Sequence, residues 1–259
     1  MKLAVLSEGR AMDGFESEHG LSFLVHVDKL MVLFDTGASE LFRHSAAKLG
    51  MDLERVDRIV LSHGHWDHGN GLEYIEGKRL ICHPGCFDKR FRKAGDAYLG
   101  LSLSQEEAAE KFELETFRHS IKLSKHLWFL GEIPRRNDFE AQSTKYRLED
   151  GSDDYILDDS GMVVITKKGL VVISGCAHSG ICNMIEHARR VTGILTVAAV
   201  IGGFHLKATD TQTRKTIEYL KKLGVNQVYP SHCTVEPALG EFHRVFGKNE
   251  VQTGSLLVF

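Results

Sequence analysis

Short apolar runs bounded by glycine and polar turns recur along the chain, and most are too short for buried helices. Residues 2–6, 21–27 and 30–34 read as strands, the last two joined as a hairpin through Asp28-Lys29. Residues 39–49 carry a helical pattern with Leu41, Ala46 and Leu49 on the core side, closed by Gly50. Two more short strands follow at 58–61 and 79–82. In the second half, 127–130 is a strand, and 161–166 and 169–174 flank Lys167-Lys168 as a hairpin. Strands at 196–201, 227–229 and 256–259 alternate with helices at 182–191 and 211–223.

A hairpin followed by alternating strand and helix thus occurs twice, over 1–84 and 160–259. No Pro-, Gly- or Ser-rich linker separates the halves, so they read as two layers of one domain spanning 1–259. Residues 86–125 break the pattern. They are basic at first (Lys89, Arg90, Arg92, Lys93) and then acidic and helical over 105–117. This stretch reads either as an excursion that covers a site or as a solvated insertion.

Composition narrows the partners. The net charge of −3 and pI near 6.5 do not suggest a nucleic-acid surface. No apolar run reaches the roughly 18 residues that span a bilayer, and the N-terminal apolar run reads as a first strand and not a signal peptide. Five scattered cysteines argue for a reducing compartment, with the cytoplasm as the expected location. Cys82 and Cys86 resemble half of a structural zinc site, but no second pair completes it. Oligomeric state is not legible.

The chemistry concentrates in Ser62-His63-Gly64-His65-Trp66-Asp67-His68, directly after a buried strand. His63 and His65 are two apart and face one side in extended geometry, while Asp67 and His68 lie past the bend and can serve a second position. Neutral imidazole with carboxylate suits one or two zinc ions, and also manganese or iron. The competing reading is a histidine-rich surface loop. Asp35, in Asp35-Thr36-Gly37 after strand 30–34, either orients a ligand histidine or closes a local turn. Arg135 and Arg136 follow strand 127–130; such guanidinium forks either bind an anionic group or are simply solvated. Cys176 and His178, then His205, then His232 stand just past later strands.

The pattern His63-x-His65-x-Asp67-His68, with Asp35-Thr36-Gly37 and Pro230-Ser231-His232, resembles the metallo-beta-lactamase superfamily. The resemblance implies an α/β fold, a four-layer αββα sandwich with one or two metals at the sheet edge. It places His63 and His65 on a first metal and Asp67, His68 and His232 on a second. Two landmarks depart: the usual bridging Asp position reads Gly175-Cys176, and Asp158-Asp159-Ser160 stands where a histidine is usual. His178 is then the local candidate to complete the first metal, and Cys176 either ligates or is a buried neighbour. Glu18-His19-Gly20, Leu130-Gly-Glu-Ile-Pro-Arg135, Ser174-Gly-Cys-Ala-His-Ser-Gly180 and Ile201-Gly-Gly-Phe-His205 are similar to a narrower subfamily. It is named for 7,8-dihydropterin-6-methyl-4-(β-D-ribofuranosyl)aminobenzene-5'-phosphate synthase. His19 joins Arg135 and Arg136 as a substrate-binding candidate on that likeness.

The leading expectation is a metal-dependent hydrolase of a phosphorylated or ester-like, anionic small molecule. Asp67 holds the nucleophile and His205 protonates the leaving group. The alternatives are a transferase joining a dihydropterin methyl diphosphate to an arylamine ribose phosphate, and a non-catalytic metal- or ligand-binding protein.

Overall fold

The computed structural model describes residues 1–259. In chain order its strands are β1 (Lys2–Ser7), β2 (Ser22–Val27), β3 (Leu30–Phe34), β4 (Arg58–Val60), β5 (Arg79–Cys82), β6 (Arg90–Arg92), β7 (Glu113–Thr116) and β8 (Ile121–Lys122). They continue as β9 (Leu127–Phe129), β10 (Tyr146–Leu148), β11 (Asp153–Asp154), β12 (Gly161–Thr166), β13 (Gly169–Ser174), β14 (Val197–Gly203), β15 (Gln227–Ser231) and β16 (Leu256–Val258). Six helices intervene: α1 (Leu41–Lys48), α2 (Trp66–Gly69), α3 (Gln105–Lys111), α4 (Ile181–Thr192), α5 (Thr211–Lys222) and α6 (Ala238–Phe246).

One sheet runs β16-β1-β2-β3-β4-β5-β7 and the other β15-β14-β13-β12-β9-β8. Successive side chains point to opposite faces of a strand, and both faces are covered here. Leu3 and Val5 enter the core between the sheets with Val164, Val171 and Ile173, whereas Ala4 and Leu6 face Phe42 of α1 and Ala108 of α3. On the far sheet, Val163 and Val172 face outward onto Met184 of α4, Leu220 of α5 and Phe242 of α6. The layers are therefore αββα. Burial on both faces explains why these strands read as continuous apolar runs.

β3, β4, β5 and β7 are parallel, as are β13, β14 and β15, so each set delivers its carboxyl ends to one edge. In open α/β sheets that edge is where ligands bind.

Three elements differ from sequence expectation. The helix expected over 105–117 stops at Lys111, held at its start by a capping box between Ser104 and Glu107. Glu113–Thr116 then pairs with β5, so the 86–125 stretch is no simple excursion: β7 edges one sheet and β8 edges the other. A small sheet, β11-β10-β6, and helix α6 go beyond the elements read from the pattern.

Candidate metal centre

Every expected ligand leaves the end of a strand at this shared edge. After β4 the chain turns through His63 and His65 into α2, which carries Asp67 and His68. His178 follows β13, His205 follows β14 and His232 follows β15. Asp35, Ala177, His205 and His232 all adopt left-handed backbone with φ of 50–56°. Such geometry costs energy for non-glycine residues and clusters where side chains must be aimed.

Four groups of ligand-type side chains converge here, and two of them are made up of the expected ligands. The donor atoms of His63, His65 and His178 lie within 4.8 Å of one another, and so do those of Asp67, His68 and His232. His63 Nε2 is 2.9 Å from His65 Nδ1, and His68 Nε2 is 3.0 Å from His232 Nε2. Asp67 Oδ2 lies 3.3 Å from His232 Nε2. The triads are those expected from sequence. Cys176 Sγ lies 3.3 Å from His68 Nε2 and groups with His63 and His68, one residue from each triad. It is buried between them; burial and neighbouring Cys233 push its thiol well up.

Electrostatics favour neutral imidazoles in the first triad. Burial, then the neighbouring His68 and His65, holds His63 well below its ordinary pKa. Burial and Arg90 lower His65 to about 3, and burial and His205 lower His178. In the second triad burial works against charge on both partners and is outweighed. His68 and His232 hold the Asp67 carboxyl down, while Asp67 raises His232 to about 9. A carboxylate that attracts a positive charge this strongly suits a divalent cation.

The surrounding hydrogen bonds set the ring orientations. Asp35 Oδ2 lies 2.7 Å from His68 Nδ1, which makes His68 Nδ1 the donor and leaves Nε2 facing the cluster. Ser62 donates to both Asp35 oxygens, from its N–H and its hydroxyl at 2.7 Å each, and Ser62 Oγ is 2.9 Å from His63 Nδ1. Asp35 therefore orients one histidine of each triad, His68 directly and His63 through Ser62. Gly175 makes this approach feasible, since a Cβ there would meet Ser62 Oγ at 2.1 Å.

The adjacent carboxylates of Asp158 and Asp159 tie the first triad from behind. Asp158 Oδ2 accepts the N–H of Gly64, between His63 and His65, at 2.7 Å, and its Oδ1 pairs with buried Arg90 at 3.0 Å. Asp159 accepts the N–H and hydroxyl of Ser179, beside His178. Sequence reading saw in Asp158-Asp159 only a missing histidine; two acids directly before an apolar strand are the signal it passed over. Gly64 presses on the Cys86 carbonyl, where an added Cβ would sit at 1.8 Å. Cys82 and Cys86 are buried free thiols behind the loop.

The other expected site residues fall out differently. His19 stands at the mouth, 3.3 Å from Asp67 Oδ2, with its ring stacked on His232. His205 packs 4.4 Å, centroid to centroid, from His178, and its Nδ1 is buried without a hydrogen-bond partner. Neither Arg135 nor Arg136 belongs to a ligand group or lines the cleft beside His178. The Arg135 guanidinium donates to the carbonyls of Tyr155 and Ile156, while the backbone N–H of Arg136 bonds Asn183 Oδ1 and its side chain is exposed.

A cleft of about 790 Å³ opens beside His178 and His205. Tyr146 of β10 walls it and stands edge-on to both His65 (5.1 Å) and His178 (5.5 Å). Nothing in the pattern around Tyr146 singled it out. The residues fit a metal: two convergent nitrogen-rich triads, with His178 Nε2 buried and lacking a hydrogen-bond partner.

A four-layer αββα sandwich with ligand triads at one sheet edge defines a metallo-β-lactamase-type enzyme. The chain belongs to the metallo-beta-lactamase superfamily, whose family model matches residues 18–182. It is 34% identical, over 95% of its length and 91% of the relative's, to the 7,8-dihydropterin-6-methyl-4-(beta-D-ribofuranosyl)-aminobenzene-5'-phosphate synthase of Methanocaldococcus jannaschii. Among solved structures it is similar to Tm1679, described as a metal-dependent hydrolase of the beta-lactamase superfamily. That likeness is 33% identity over 100% of this chain and 99% of the other, with a TM-score of 0.87. A diphosphatase of the PhnP family shares the fold at 17% identity and a TM-score of 0.55, covering 100% of this chain and 97% of the other.

Proposed function

We propose that the protein is a metal-dependent hydrolase of a phosphorylated or ester-like small molecule. The observation that carries this reading is the pair of triads, His63/His65/His178 and Asp67/His68/His232, side by side with Cys176 between them. Zinc is the proposed ion in each triad, with manganese or iron compatible. A bound divalent ion would polarise the scissile phosphoryl or acyl oxygen and lower the pKa of an attacking water.

The chain's own groups supply the rest. Asp67, held ionised by His68 and His232, accepts a hydrogen bond from the attacking water and aims it. His205 lines the cleft with its Nδ1 unpartnered, placed to give a proton to the leaving oxygen. Asp35 and Ser62 keep the histidine rings in register as charge develops.

A second reading, transfer in place of hydrolysis, is favoured by the 34% identity to the synthase. The diphosphate of a dihydropterin methyl diphosphate would leave, and an arylamine ribose phosphate would take the place of water.

The test is turnover by zinc-loaded protein on a panel of phosphodiesters and phosphomonoesters, then on the pterin diphosphate with and without the arylamine phosphate. Free hydroxymethylpterin supports hydrolysis and a joined product supports transfer. Turnover that survives in His65→Ala protein stripped of metal removes both metal mechanisms.

A further inference from the structure

The cleft beside His178 carries a charge pattern that the triads do not use. The chain as a whole has a net charge of −3, yet the cleft is lined by four cations, Arg92, Lys93, Lys145 and Lys207, against one carboxylate, Asp210. Lys93 is committed to Asp153 at 2.7 Å, and Asp210 Oδ1 caps α5 by accepting the Thr213 N–H. Arg92, Lys145 and Lys207 are exposed, and none of their side chains is held by a carboxylate or a hydrogen bond.

All three line the same cleft. Arg92 of β6 lies directly across from Tyr146 of β10 in the small sheet, and Lys145 precedes Tyr146. Lys207 comes from the segment after β14, two residues beyond His205. Like charges brought together around a concave polar surface repel in the free protein, and a dianion relieves that repulsion. A guanidinium fork flanked by two ammonium groups matches a phosphate in charge and in donor geometry. Tyr146 and Tyr155, which also line the cleft, offer faces for a flat ring between this cluster and the histidines.

We infer that this cleft is a phosphate subsite, in which Arg92, Lys145 and Lys207 take a phosphate monoester that the substrate carries away from its reacting bond. The inference rests on the reading of the centre as one for phosphorylated small molecules and adds what that reading lacks: a requirement for two separate anionic groups, one at the triads and one at this wall. A substrate with only the reacting group would bind weakly.

Isothermal titration of zinc-loaded protein with D-ribose 5-phosphate, and with D-ribose as the uncharged control, tests this. The wild type should bind the phosphate sugar in preference to ribose. Arg92→Ala/Lys207→Ala protein should lose about tenfold or more of that affinity, as removal of charge-assisted contacts implies. Lys122→Ala, a remote charge change, should leave it unaltered. If the double variant does not fold, Arg92→Gln and Lys145→Gln singly should each weaken binding severalfold. No measurable binding by the wild type, or equal affinity in wild type and cleft variants, overturns the inference. Absence of turnover on every phosphorylated substrate would instead overturn the hydrolase reading while leaving the binding result intact.

Discussion

Asp158 and Gly64 are 94 residues apart in sequence, yet the Asp158 carboxylate accepts the Gly64 N–H at 2.7 Å. The bond fixes the one residue between two ligands of the first triad. Because Asp158 also neutralises Arg90, which is 1% exposed, Asp158→Ala leaves a buried cation with only the longer 3.6 Å contact to Asp154. The expected loss is about 3–5 kcal/mol of stability in denaturant unfolding, with Asp158→Asn losing less. If Asp158→Ala unfolds like the wild type, the tie is incidental.

Asp35 reaches both triads, through His68 and through Ser62 to His63. Asp35→Asn should weaken metal binding by about 10–100-fold, read by competition against a chromophoric chelator. Ser62→Ala should act in the same direction on the first triad. Unchanged affinity in Asp35→Asn would place the residue in a mere turn.

Gly175 is required by contact. A methyl group there would meet Ser62 Oγ at 2.1 Å and Asp35 Oδ2 at 3.0 Å. Gly175→Ala should cost about 1–3 kcal/mol in urea unfolding, as overpacking of a buried site does. The comparison is Gly50→Ala, where no atom lies within 4 Å of the added carbon but φ is +68°; strain alone acts there, and the two losses separate strain from collision.

His205 stands outside both triads but lines the cleft. His205→Gln should leave the metal content unchanged and lower kcat by about 10²–10⁴-fold on substrates with poor leaving groups, with a smaller loss on 4-nitrophenyl esters. A fall in metal content would make His205 a ligand, through its grouping with Cys176 and Cys233.

The legibility of these features followed their range. Strands buried on both faces announced themselves as apolar runs, and His63-x-His65-x-Asp67-His68 is a local motif that names its own ligands. His178 and His232 were legible through the family resemblance, as strand-end histidines falling where its remaining ligands are expected. What depended on distant packing was not legible. Residues 113–116 have a helix-like composition and become β7 because β5 offers an edge, a tertiary override of propensity. The strands β6, β10 and β11 are two or three residues long, too short to show a period. Arg135 looked like an anion binder because a side chain's partner, here the carbonyls of Tyr155 and Ile156, cannot be read from its neighbours in sequence.

Each triad is expected to hold one ion. Metal content per chain, measured by plasma mass spectrometry after equilibration with zinc and removal of free ion, tests it most directly in wild type, His178→Ala and His232→Ala. Two triads predict two ions in the wild type and one in each variant. A wild type that retains no zinc, or variants that retain as much as the wild type, would contradict the account.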